Sequence, residues 1–459
     1  MSGISGKTLV AWGVPPGSHM GSALALANRM SAEGADRQTI LAAVLTLVPQ
    51  AIPMRTVAAP YAVALDAETE LERENAAAVV EHMDHLMRVP TISAGAVMPD
   101  ACPSGHAPGT IPVGGVVACR DAIHPGFHSA DICCSVAITV LRDEIDLASL
   151  LDAVQAVTHF GPGGRANPPP LPTPVAARIA ANAFTSDLIS RAIGDFSSQG
   201  DGNHFAFVGR LRSTGQPALV THHGSRGFGA TLYKKGMQAA QRHTAKVAPA
   251  VPKHNAWLKA DSAAGQAYWD ALQIVREWTR ANHIVIHDQA IARVAARIDR
   301  RSWNEHNFVF QRADGLFYHG KGATPSFKGF SADDVGLTLI PLNMAESVLV
   351  TAHRDNPDTL GFAPHGAGRN QSRAAYLREN RPEIPEGLDV RFFCGQPDLS
   401  ELPGAYKNAR AVREQIGRYG LAEVVDHVDP FGCIMAGDWE KDAPWRNKGR
   451  PRAATATAA

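Results

Sequence analysis

The sequence predicts an α+β fold: one large interleaved domain preceded by a helical N-terminal region. Three observations lead there. From Gly95 onward, short apolar runs alternate with Gly/Pro-rich turns, the punctuation expected of strands. Longer segments with helical spacing of apolar residues interrupt them. Polar motifs able to carry chemistry are spread from Asp131 to Tyr406 with no internal repeat. That spread suits one domain built from distant segments better than a string of modules.

Composition narrows the class. The chain has 459 residues, 45% of them apolar and 19% charged, enough for a sizeable core and unlike a disordered protein. Lys+Arg and Asp+Glu are 44 each, which argues against bulk coating of nucleic acid and leaves a local basic cleft open. The six cysteines form no CxxC pair, so a disulfide framework or zinc ribbon is not expected. With no secretory signal and no apolar run of membrane length, the expectation is a soluble cytoplasmic protein with reduced thiols.

In order, Met20–Met30, Gln38–Leu47 and Glu70–Met87 read as helices, making residues 1–95 a helical accessory region. The catalytic domain is expected over 96–437 and a flexible tail over 438–459. Val97-Met98-Pro99-Asp100 leads into a Gly/Pro-rich loop, then Ile111–Cys119 reads as a buried strand. His124–His128 is turn-like, and Ser135–Leu141 is a strand. Asp146–Val157 and Val175–Ile193 read as helices. Strands His204–Leu211 and Pro217–Thr221 follow, each with a histidine at a glycine-rich end. Phe228–Ala248 and Ala263–Ile298 are the long helices, with Tyr268, Leu272, Val275 and Trp278 at core spacing. His283 and His287 are four apart without the glutamate of a zinc protease, and are expected to be structural. Gly320–Pro325 reads as a Gly/Lys loop, Gly336–Pro341 and Ser347–Ala352 as strands, and Arg373–Glu379 as a short helix. A final helix is expected from Leu402 to about Tyr419, and a strand over Leu421–Val428.

The chemistry concentrates in two sets. Asp131 and Cys134 are three apart at a loop–strand junction, a spacing that can aim a carboxylate and a thiolate at one ion, although buried cysteines are more often structural. His204, His222 and His306 complete an Asp/Cys/His inventory suited to first-row metals. Softness alone suggests zinc, yet five donors exceed a closed tetrahedral shell. Two ions bridged by Cys134 or Asp131 would account for the excess. The second set is Pro-His-Gly-Ala-Gly-Arg-Asn-Gln-Ser-Arg, residues 364–373. Its glycines expose amides, and Arg369 and Arg373 stand behind them, a pattern suited to phosphate oxygens. A neutral His365 imidazole at such a turn can attack phosphorus. The plainer reading is a Gly-rich turn with a structural histidine.

Together, Asp131-Ile132-Cys133-Cys134, Gly202-Asn203-His204-Phe205, His222-His223-Gly224-Ser225-Arg226-Gly227, His306-Asn307 and His365-Gly366-Ala367-Gly368-Arg369 resemble the RtcB family of RNA ligases, over about Val97 to Gly437. The resemblance implies mixed or antiparallel sheets around a metal-containing cleft. It implies two manganese ions held by Asp131, Cys134, His204, His222 and His306, and guanylylation of His365 by GTP. Asn203, Asn307 and Tyr406 would line the guanylate pocket, with Asn343, Ser347, Gly366, Ala367 and Gly368 in the same nucleotide-binding set. Arg226 and Arg369 would meet RNA phosphate. The implied reaction opens a 2′,3′-cyclic phosphate, guanylylates the resulting RNA 3′-phosphate from His365, and joins it to a 5′-hydroxyl, as in RNA repair or tRNA splicing. An archease-type activator is a possible partner. The chain departs from the family where Cys102 replaces a histidine, Phe207 replaces a glutamate, and Met435-Ala436-Gly437 lacks a lysine. These changes at the guanine rim keep two alternatives open: a metal-dependent RNA end-processing phosphoesterase, and a non-catalytic RNA-binding relative.

Overall fold

The computed structural model describes residues 3–17, 19–48 and 50–439. The expected tail lies outside these residues beyond Trp439. Helices α1 (Gly6–Ala11), α2 (Met20–Ala32) and α3 (Arg37–Leu45) are capped where the sequence offers Ser5 and Asp36 as N-caps. They bury a small core of their own around Leu9, Ala23, Ala27, Ile40 and Val44. The remainder of residues 1–95 joins the main body. Strand β1 (Tyr61–Val63) leads to α4 (Glu70–Leu86), held by a Thr69/Glu72 capping box. Strand β2 (Ile92–Cys102) follows, so the boundary expected at residue 95 falls inside a strand.

The chain continues through β3 (Val113–Cys119), β4 (Ser135–Leu141), α5 (Leu147–Val157), β5 (Phe205–Leu211), β6 (Pro217–His223), α6 (Arg226–Val247) and the long α7 (Ala263–Arg293). Then come β7 (Ile298–Glu305), β8 (Asn307–Gln311), β9 (Phe317–Lys321), β10 (Ala323–Pro325), β11 (Leu337–Ile340), β12 (Val348–His353) and β13 (Phe362–Pro364). The last elements are α8 (Arg373–Glu379), β14 (Asp389–Phe392), α9 (Ala409–Arg418) and β15 (Ala422–Met435). One sheet runs β1-β2-β3-β9-β8, antiparallel except for the parallel β1–β2 pair. A larger one runs β7-β4-β6-β5-β15-β12-β11, antiparallel throughout, with β14 added parallel to β15. The α+β class with mixed and antiparallel sheets is therefore present.

Alternation along the strands sets the two faces of the larger sheet. Phe207 and Leu211 of β5 join Val136, Ile138 and Val140 of β4 on one face. Ala206 and Val208 of β5 join the α5 leucines on the other. Tyr268, Leu272, Val275 and Trp278 of α7 are fully buried, as their spacing predicts.

Several elements differ from the sequence reading. The helix expected over Val175–Ile193 is broken: Asn182 leaves helical geometry and its side-chain oxygen accepts from the Phe184 amide, while its amide donates to Ala267 O and Asp270. That local alternative to the helix is a common use of asparagine. The long helix expected to reach Ile298 stops at Arg293, and β7 begins at Ile298. The lead-in at Val97–Asp100 and the Gly/Lys loop at Gly320 belong to strands, because β3 lies between β2 and β9 and pairs both. Between Val97 and Cys102 the β2–β3 register shifts, which gives Pro99 a place where no ladder donor is required.

The turn at His124–His128 is buried. His124 donates from Nδ1 to Asn255 O, accepts from Thr91 at Nε2, and stacks on Phe127 with centroids 4.1 Å apart. Burial pushes the His124 pKa down to about 3 and that of His128 down to about 4. Both stay neutral in the fold but titrate near 6.5 once unfolded, so their contribution is complete above about pH 6.5 and is lost as pH falls toward the folded values. We expect a loss on the order of a few kcal/mol between about pH 6.5 and 4, read as a falling melting temperature by circular dichroism. A flat profile over that window would contradict it. His283 and His287 are likewise core groups, each 2.7 Å from Thr221 Oγ1.

Candidate active site

Four neighbouring strands of the larger sheet bring the distant donors to one end. Glu305 pairs with Ser135, Val136 with His222, and Phe205 with His222. His306, Cys134, His222 and His204 therefore sit side by side although the sequence spreads them over more than a third of the chain. Asp131 reaches the same point from the loop before β4. There Cys133 adopts a left-handed conformation (φ +57°) between hydrogen bonds that join Cys133 N to Asn307 O and His306 N to Cys134 O. Such a conformation is costly for a side-chain-bearing residue and is often found at functional sites. Gly224 clears room for the Asp131 carboxylate: a Cβ there would lie 1.9 Å from its Oδ1.

The donors fall into two triads, Asp131/Cys134/His204 and Cys134/His222/His306, whose ligand atoms lie within 4.8 Å of one another. Cys134 Sγ is common to both, 3.4 Å from His204 Nε2 and 3.2 Å from His222 Nε2. His222 Nδ1 donates to Asn203 O at 3.0 Å, which leaves the Nε2 lone pair free, only 3.2 Å from Nε2 of His306. Nδ1 of both His204 and His306 is buried with no hydrogen-bond partner. Burial, followed by the nearby His204 and His365, pushes the His222 pKa down to about 3. Burial, with His365 and His222 beside it, also holds the His306 pKa well below its ordinary value. Burial works to raise the Asp131 pKa, but His204, Cys134 and His222 bring it down to about 2. The Cys134 thiol is pushed up by burial and by Asp131. Buried imidazoles, an ionised Asp131 carboxylate and a buried thiol form a donor set suited to a metal cation.

Next to the triads lies His365, immediately after β13. Its ring centroid is 4.9 Å from that of His306. Its Nδ1 donates to Asp100 Oδ2 at 2.5 Å, and its backbone N–H donates to the same oxygen at 3.1 Å. Asp100 is fully buried in the irregular part of β2. The Lys407 ammonium braces that segment by donating to Pro99 O and Ala101 O at 3.0 and 2.7 Å. Gly368 (φ +72°) packs so closely that a Cβ there would lie 2.1 Å from Asp100 O. The motif glycines thus seat the turn on the strand that carries Asp100.

His365 opens onto a cavity of about 450 Å³. Asn203, Asn343, Gly366, Ala367, Gly368, Arg369 and Tyr406 line it, as does His222. Two residues of the nucleotide-binding set, Asn307 and Ser347, are not among the lining residues. Asn307 Oδ1 accepts from the Gly322 amide at 2.7 Å. Ser347 donates to Asp429 at 2.7 Å and accepts from Arg212. Glu401, absent from the sequence reading, organises the polar wall. It is almost fully buried and binds both Arg369 and Arg373 as well as the Tyr406 hydroxyl. The Arg369 guanidinium lies 4.8 Å from the Tyr406 ring centroid. The opposite wall is apolar: Phe205, Phe207, Met344, Val348 and Met435. Arg226 lines an adjoining groove with Asp131 and His204.

A family model described as RtcB, tRNA-splicing ligase RtcB, matches residues 174–436, more than half of the chain. The chain belongs to the RtcB family. The tRNA-splicing ligase RtcB of Thermococcus kodakarensis is 28% identical over 300 residues, covering 55% of this chain and 61% of that protein. That of Pyrobaculum aerophilum is 26% identical over 429 residues, covering 74% and 87%. The RNA-splicing ligase RtcB of Mycobacterium tuberculosis is 27% identical over 298 residues, covering 56% and 68%. The chain thus spans less than two thirds of the Thermococcus protein. His204, His222, His306, His365 and Tyr406 of this RtcB-family chain fall within the matched residues, and Asp100, Asp131 and Cys134 precede them. Asp100 went unassigned in the sequence because nothing local links it to a histidine 265 positions away. The one available signal was a lone carboxylate after proline in Met98-Pro99-Asp100.

Proposed function

We propose that this RtcB-family chain is a GTP- and manganese-dependent RNA ligase that works through a histidine-guanylate intermediate. It would join RNA 3′-phosphate or 2′,3′-cyclic phosphate ends to 5′-hydroxyl ends, in RNA repair or tRNA processing. The observation that carries the reading is the Asp100–His365 pair, held where the cavity meets the two donor triads. With Nδ1–H committed to Asp100, the Nε2 lone pair of His365 is the nucleophile. It attacks the α-phosphorus of the nucleotide, and pyrophosphate leaves. The guanylate then passes to the RNA 3′-phosphate, and the 5′-hydroxyl displaces GMP. Asp131, Cys134, His204, His222 and His306 would hold two manganese ions, which when bound neutralise phosphate charge and lower the pKa of a hydroxyl. Arg369, fixed by Glu401, and Arg226 would present positive charge to RNA phosphate.

One observation favours a second reading, an end-processing phosphoesterase. The wall of Phe205, Phe207 and Met435 offers a guanine edge no side-chain hydrogen bond. A single experiment separates the two. The chain is incubated with manganese and each of four labelled nucleoside triphosphates, then assayed for an acid-labile, base-stable adduct. An adduct that His365→Ala abolishes supports the ligase. Absence of adduct with every nucleotide, together with phosphate release from RNA ends, supports the phosphoesterase.

A further inference from the structure

Trp439 is the only exposed phenylalanine, tyrosine or tryptophan among the described residues, with 39% of its surface accessible. It lies beyond the family match, which ends at residue 436. The indole faces a groove of about 500 Å³ whose other walls include Asp131, His204, Arg226 and Arg373. A tryptophan ring among ionic groups offers a flat apolar surface on which a planar ring can stack.

Gly161 holds the ring there. A Cβ at this glycine would lie 2.1 Å from indole Nε1, and its φ of +87° suits glycine. The indole edge therefore rests directly on the backbone, with the His159 ring 6.0 Å behind it. The carbonyl oxygen of the same Gly161 accepts from Arg226 Nη2 at 2.7 Å. Gly161 thus touches both the indole edge and the guanidinium, and Trp439 and Arg226 both line the groove. A nucleotide carries the matching pair, a planar base and a phosphate.

We infer that Trp439 is a stacking platform for the terminal base of the RNA strand whose 3′-phosphate enters this groove beside Asp131 and His204. The inference rests on the RNA-end reading above. It makes Trp439 a positioning residue for the reacting end, and because every base has a π face it predicts little preference among bases.

The test is equilibrium binding of a short labelled 3′-phosphate RNA to the full chain with manganese, read by fluorescence anisotropy. A second RNA differs only in an abasic 3′-terminal nucleotide. Wild type should bind the intact RNA roughly 5- to 100-fold more tightly than the abasic one. Trp439→Ala should erase that difference, and Trp439→Phe should keep most of it. Equal affinity of wild type for the two RNAs, or a difference that survives Trp439→Ala, overturns the inference. So does wild type that binds neither RNA. Wild type that shows the difference but forms no nucleotide adduct would instead remove the ligase reading and leave the platform standing.

Discussion

Asp100→Asn is expected to slow nucleotide capture at His365 by about 10²- to 10⁴-fold, the range seen when a carboxylate that orients a catalytic imidazole loses its charge. The carboxylate does two things here. It accepts the Nδ1–H hydrogen bond, so that Nε2 carries the lone pair, and it would balance the positive charge that grows on the ring as a bond to phosphorus forms. An asparagine can retain the backbone contact to the His365 amide, so the turn should keep its place while the charge is lost. The measurement is the single-turnover rate of adduct formation at saturating nucleotide and manganese. His365→Ala should give no adduct at all. A rate for Asp100→Asn within threefold of wild type would show that the carboxylate is only a structural anchor.

The second large effect is expected at Cys134. Its sulfur belongs to both donor triads, whereas each of the other four ligands belongs to one. Cys134→Ala should therefore weaken both sites together, and His306→Ala only one. Loss of a group that merely supports a ligand costs roughly 10- to 100-fold in metal affinity, and loss of the ligand itself should exceed that. Elemental analysis after dialysis against micromolar manganese should find most of the metal gone from Cys134→Ala and about half retained by His306→Ala. Wild-type occupancy in Cys134→Ala would refute the bridging assignment. The alanine leaves a small buried gap, so circular dichroism should accompany the metal count to confirm the fold.

Much of the architecture was legible because it is written locally. Helix α4 announces itself through its acidic start and spaced apolar residues, and β4 through its apolar run in Ser135–Leu141. Strands β5 and β6 each carried a histidine at a glycine-rich end, and their antiparallel pairing puts those ends together. Short-range signals failed where a neighbour supplied the reason for a conformation. Nothing within Val175–Ile193 shows that Asn182 will find Ala267 and Asp270. Nothing around Pro99 shows that its segment will be a strand, because only β3 alongside makes it one. Asn307 and Ser347 do not line the cavity, and their side chains bond to the Gly322 amide and to Asp429.

By itself the sequence determined which donors exist, in what order, and that a histidine sits in a glycine-rich turn, since residue identity and local backbone freedom are properties of the chain. Tertiary structure alone decided that Cys134 Sγ is common to both donor triads, that a buried Asp100 bonds His365 Nδ1, and that Glu401 gathers Arg369, Arg373 and Tyr406. Each of these is a contact between segments far apart in the chain. Its strength depends on burial and on ångström-scale distance, and neither exists until the sheets have closed around the site.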